Sequence, residues 1–124
     1  MELFLNAQLK HFHPVQLWHL HSLSNEVDTV KIHGNYCGPN WTHGMNVPAS
    51  DYFLYPEVAP IDRLDQACQD HDKDCSQGGC SSRGDTVLRN AALAVAISSS
   101  DAQIRATATS IALAMHLVKD KRSR

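Results

Sequence analysis

His71 and Asp72 stand side by side in the run Leu64-Asp65-Gln66-Ala67-Cys68-Gln69-Asp70-His71-Asp72, a stretch of helix-forming character. A neutral imidazole can take a proton near pH 7, and an adjacent carboxylate can hold a hard cation. Upstream lies the Gly-bearing loop Tyr36-Cys37-Gly38-Pro39-Asn40. Calcium takes about six to eight oxygens, more than one carboxylate provides. The backbone carbonyls of Tyr36, Gly38 and Asn40 can supply more if the loop curls inward. Gly38 reaches conformations closed to other residues, and Asn40 tolerates the left-handed region. Base, carboxylate and loop are the parts of a calcium-assisted hydrolase.

These parts need elements to hold them. Asp62, just after Pro60, is a good N-cap, and Leu64, Cys68, His71, Asp72 and Cys75 fall on one side of a helix over 62–76. Neighbouring residues project about 100° apart on a helix, so Asp72 can face an ion while His71 addresses a water. Gly78-Gly79 ends this helix in a tight turn. A second helix is expected over 82–97, with Val87, Leu88, Ala91, Leu93 and Val95 among its apolar residues. Ser98-Ser99-Ser100 breaks it, and a third helix over 101–119 carries the stripe Ile104, Ala108, Ile111, Met115 and Val118. With the Gly pair as the centre of an antiparallel helix pair, position 71 lies opposite position 86. Asp85, one residue away, can then accept a hydrogen bond from one His71 nitrogen and leave the other as base. Asp101 is a poorer partner, about a helix length away.

The remainder of the chain bounds this reading. Its 124 residues suit a single domain over 1–124, and 43% hydrophobic with 19% charged residues fit an ordinary globular protein. A net charge of −2 gives no reason to expect nucleic-acid binding. Four cysteines allow two disulfides in three connectivities, which would point to an oxidising compartment. Met1-Glu2-Leu3-Phe4-Leu5 lacks a basic leader region. Either a leader was removed before this numbering begins or the domain is a piece of a larger chain. No transmembrane segment is expected, because Leu88–Ile97 is too short. Residues 1–33 are the least defined, with a strand-like rhythm through Val30-Lys31-Ile32. The pairs His11/His13 and His19/His21 read better as surface or half-buried histidines than as a zinc site. The basic end, 119–124, reads as a solubilising tail. Gly34 to Pro60 reads as loops.

Tyr36-Cys37-Gly38, followed by Pro60-Ile61-Asp62-Arg63-Leu64-Asp65-Gln66-Ala67-Cys68-Gln69-Asp70-His71-Asp72, resembles the secreted phospholipase A2 family. That family joins a calcium loop of the type Y-C-G-x-G to a helix of the type P-x-D-x-L-D-x-C-C-x-x-H-D. The match covers about residues 34–75. The resemblance implies a mainly α, disulfide-braced fold with a calcium loop at 34–44. It also implies calcium-dependent hydrolysis of the sn-2 ester of glycerophospholipids at a membrane surface. His71 then matches the catalytic base, and Asp72 the calcium carboxylate. Tyr36, Gly38 and Asn40 match the loop carbonyl ligands, with the Gly38 amide a further donor to the oxyanion. Asp85 best matches the Asp that orients the base. Cys37 and Cys68 match the disulfide from loop to helix, which leaves Cys75 and Cys80 to bond across the Gly78-Gly79 turn. The resemblance further implies a secreted protein or a domain of a virion protein.

Several positions depart from the family pattern. Asn40 stands where Gly is usual, so weak calcium binding is expected. Ala67 replaces the first Cys of the usual pair, and Lys73-Asp74-Cys75 replaces a Cys-Tyr sequence. The interval from His71 to Asp85 leaves no room for a β-hairpin between the helices. This trimmed form resembles the compact phospholipase domains of some viral capsid proteins. Trp41, Phe53 and Leu54 stand as membrane wedges or as core residues.

Other readings fit less well. Asp70, Asp72 and Asp74 imitate an EF-hand, but Cys75 and Ser81 occupy the positions of its Gly and Glu. A cysteine nucleophile at Cys68 or Cys75 lacks an oxyanion motif. The stronger competitor is a phospholipase-fold module that binds lipid or a protein without turnover. Intact His71, Asp72 and Gly38 weigh against it.

Overall fold

The structure, a computed structural model, describes residues 29–118. Three α-helices dominate it: α1 (Arg63–Cys75), α2 (Ser82–Ser98) and α3 (Ala102–Val118). A short 3-10 helix at Ala49–Leu54 precedes them and packs on α1. The expected helix bounds hold to within a residue or so, because each start is set by a side-chain cap. Asp62 accepts from the Asp65 amide at 2.9 Å. Ser81 Oγ accepts from Gly84 at 2.9 Å, and Asp101 Oδ1 from Gln103 and Ile104. Each cap satisfies amides that the helix cannot, for roughly 1 kcal/mol apiece.

The core lies between the helices and under the loop. Leu88, Ala92 and Val95 on α2 meet Ala108, Ile111, Ala112, Met115 and Val118 on α3. The small residues let the two helices approach closely, and a fully buried Ile or Met contributes roughly 1.5–3 kcal/mol. Tyr36, Tyr52, Leu64 and the Cys37–Cys68 pair extend the same core below the loop.

Two disulfides brace the described residues, Cys37–Cys68 and Cys75–Cys80. The first ties the loop to α1 over a separation of 31 residues. The second closes the α1–α2 turn, where Gly78 and Gly79 have φ of 92° and 113°. These values fall where only glycine is comfortable.

One expectation is corrected. Val30-Lys31-Ile32 does not form a strand. The Val30 and Ile32 amides instead donate to the Pro39 and Cys37 carbonyls, and only an isolated bridge joins His33 to Cys37. A strand needs an extended partner, and the facing chain turns through Gly38 and the left-handed Asn40 (φ 53°). The His-x-His pairs at 11–21 and the basic end lie outside the described residues. Among the described residues, no helix is long and apolar enough to cross a membrane.

Candidate active site

Asp65 positions the loop, a role that the sequence pattern did not reveal. Its fully buried carboxylate accepts from the amides of Asn35 (2.9 and 3.0 Å), Tyr36 (2.8 Å) and Ile61 (2.9 Å). Hydrogen bonds to a charged group are worth roughly 1.5–3 kcal/mol each. Gly34 (φ 59°) passes so close that a Cβ would lie 2.4 Å from Asp65 Cγ. The one available signal was positional: Asp65 is three residues after the N-cap, where an acid commonly reaches back to upstream amides.

The loop then alternates. The carbonyls of Asn35, Cys37 and Pro39 accept backbone hydrogen bonds from Gly44, from Ile32 and His33, and from Val30. Those of Tyr36 and Gly38 accept none among the described residues. Gly38 has φ 141°, and a Cβ there would meet the Val30 carbonyl oxygen at 1.9 Å. Asn40 adopts the left-handed conformation that glycine would take, so the loop keeps its turn without the usual Gly.

Cys68 carries the disulfide to this loop, and Asp72 follows one helical turn later, 7% exposed. Burial raises its carboxyl well above the usual carboxylate range, and the charge of Asp65 adds to the shift. The Thr42 hydroxyl is near enough to temper this but forms no hydrogen bond. Asp72 Oδ2 and Thr42 Oγ1 are the buried side-chain oxygens without a hydrogen-bond partner among the described residues. An orphaned carboxylate oxygen in a low-dielectric setting is costly, and a bound cation would relieve it. The donor set, carboxylate and carbonyl oxygen, fits a hard ion such as calcium.

His71 lies on the α2 side of α1. Its Nε2 is 2.6 Å from Asp85 Oδ1, and Asp85 is fully buried in the first turn of α2. A carboxylate can only accept here, so Nε2 carries the proton and Nδ1 is the basic nitrogen. Asp101 caps α3 instead and is not the partner. His71 also lines a cleft of about 220 Å³ with Ala67, Asp74, Arg83, Val87 and Leu88.

Asp74 is a second residue whose part was not foreseen. It accepts from the Ser81 amide and hydroxyl at 2.8 Å, and so receives the start of α2. A helix-long EF-hand is excluded, since Asp70, Asp72 and Asp74 all lie within α1.

Around the loop, His43 (φ 57°) is buried, with Nε2 2.7 Å from the Tyr52 carbonyl and Nδ1 3.2 Å from Tyr36 Oη. Tyr52 donates to Glu57 and accepts from Gln69 at 2.9 Å. Burial raises the Tyr52 hydroxyl, and its hydrogen bond lowers Glu57, which Lys73 also contacts. Phe53 and Leu54 are 65% and 73% exposed, whereas Trp41 is half-buried and donates to the Gly34 carbonyl at 2.9 Å. The chain matches no family model, and no curated protein or solved structure matches it.

Proposed function

We propose that the protein is a calcium-dependent hydrolase of the phospholipase A2 type. It would cleave the sn-2 ester of glycerophospholipids to a fatty acid and a lysophospholipid. The observation that carries this reading is the His71–Asp85 pair with a buried, unsatisfied carboxylate, Asp72, as the very next residue.

Asp85 fixes the tautomer, so His71 Nδ1 takes a proton from water as the water oxygen attacks the ester carbonyl carbon. His71 then returns the proton to the departing glycerol oxygen. The Gly38 amide, which donates to no acceptor among the described residues, serves the developing oxyanion. Asp72 and the carbonyls of Tyr36, Gly38 and Asn40 would hold calcium. Bound there, the ion would polarise the ester carbonyl and offset the charge on its oxygen. Exposed Phe53 and Leu54 suit contact with a phospholipid surface. Two disulfides suit a secreted protein or the domain of a virion protein.

Fatty-acid release from phospholipid vesicles, with and without a calcium chelator, tests this reading. Release that stops on chelation and resumes with added calcium supports it. Absence of release at any calcium concentration would favour a lipid- or protein-binding module.

A further inference from the structure

His71 has sulfur neighbours as well as oxygen ones. Cys75 Sγ lies 3.8 Å from Nδ1 and 3.9 Å from Nε2. One ligand atom each from His71, Cys75 and Cys80 falls within 4.8 Å of the other two. Cys75 follows His71 by one helical turn, and the Gly78-Gly79 turn brings Cys80 back to the same place. As a disulfide, these sulfurs are poor ligands, because the thiolate is the metal-binding form. Reduced, they become two soft donors beside an imidazole, a set that suits zinc.

The two disulfides differ in access. Cys37 and Cys68 are buried at 0% and 2% exposure, whereas Cys75 and Cys80 are half-buried. An attacking thiolate needs access to a sulfur, so the Cys75–Cys80 bond is the one open to reduction. The turn between them is also open to solvent on its glycine side: a Cβ on Gly78 or Gly79 would meet nothing within 4 Å.

We propose that reduction of Cys75–Cys80 creates a zinc site of His71, Cys75 and Cys80 that takes the base out of use. A dithiol reductant attacks one sulfur to form a mixed disulfide, and its second thiol resolves this. The reductant leaves as its own disulfide, and the protein keeps two thiols. Zinc binding then releases two protons to solvent as both thiols become thiolates. His71 ligates through Nδ1 while Nε2–H still donates to Asp85, the carboxylate–histidine–metal arrangement that orients a ligand and raises its basicity. Three protein ligands leave a fourth position for water. The metal site is independent of the proposed phospholipase activity. The loss of turnover rests on that activity.

The test uses the full chain, reduced with limited tris(carboxyethyl)phosphine, which becomes its oxide by taking oxygen from water. Peptide mapping verifies free Cys75 and Cys80 with Cys37–Cys68 intact. Cobalt is then titrated as a spectroscopic stand-in for zinc. The expected result is one cobalt per chain with thiolate-to-cobalt charge transfer, displaced by zinc and missing from the oxidised protein. Cys75→Ser/Cys80→Ser should lose the signal, and Asp85→Asn should weaken affinity by about 10–100-fold. No charge-transfer band in the mapped, reduced protein would overturn the site. If the double serine variant does not fold, His71→Gln decides, since it keeps both sulfurs: unchanged spectrum and affinity would overturn the site. Zinc-loaded, reduced protein that still releases fatty acid at the full rate would overturn the loss of turnover while leaving the metal site standing.

Discussion

Gly84 lies against Asp74 so closely that a Cβ on Gly84 would meet Asp74 Oδ2 at 2.2 Å. This contact joins the end of α1 to the start of α2, one residue before Asp85. The Asp74 carboxylate also accepts from Ser81 N and Oγ, so α2 starts at a fixed height beside α1. This hydrogen-bonded clasp stands beside the Cys75–Cys80 disulfide, which closes the same turn.

Gly84→Ala should therefore displace either the Asp74 carboxylate or the first turn of α2. Overpacking of this kind costs about 1–3 kcal/mol. Thermal unfolding should report that loss, and turnover should fall further than stability because Asp85 shifts from His71. Asp72 is not on this face, so calcium affinity measured by titration calorimetry should be kept.

Gly38→Ala should cost about 1–3 kcal/mol, because Ala would be held at a φ it rarely adopts and its Cβ would collide with the Val30 carbonyl. Chemical denaturation measures the loss. Asn40→Gly should act in the opposite sense, relaxing a left-handed non-glycine residue and tightening calcium binding in calorimetry.

Asp72 gives a pH signature. Its folded-state pKa is raised above the unfolded value, so its contribution favours folding in acid and is lost as pH rises through the folded-state value. Without calcium, Asp72→Asn should flatten this part of the stability–pH curve and leave the protein at least as stable at neutral pH. With calcium at about 100 times its Kd, the wild type should gain about 2.7 kcal/mol, and Asp72→Asn should gain little. Unfolding curves at several pH values, with and without calcium, check both.

Cys37→Ser/Cys68→Ser should destabilise the chain by about 2–4 kcal/mol, as expected for a disulfide closing a loop of this length. It should also weaken calcium binding, since this bond ties the loop to the turn of α1 just before Asp72. Denaturation and calorimetry on the double variant provide the check.

The helices and the His71–Asp85 pair were legible because they depend on local signals: the cap at Asp62, helical spacing, and a glycine turn from which opposite positions can be counted. The Cys37–Cys68 and Cys75–Cys80 pairings were legible only through the family resemblance. Asp65 and Asp74 were not legible as site-builders. Their carboxylates work by collecting backbone amides from Asn35, Tyr36 and Ile61, or from Ser81, and no periodicity announces where such amides converge. His43 was missed for a related reason, since its burial follows from a left-handed backbone and from Tyr36 and Tyr52 packed around it. The strand rhythm at Val30–Ile32 misled because alternation reports a half-buried face, not the presence of an extended partner.

The most direct test of the account is turnover by His71→Gln, measured as fatty-acid release from phospholipid vesicles with saturating calcium. Glutamine keeps a polar side chain but cannot take the water's proton. The account predicts unchanged helical circular dichroism, retained calcium binding and a loss of activity of at least about 10²–10⁴-fold. Release by His71→Gln at a rate close to wild type would contradict His71 as the base.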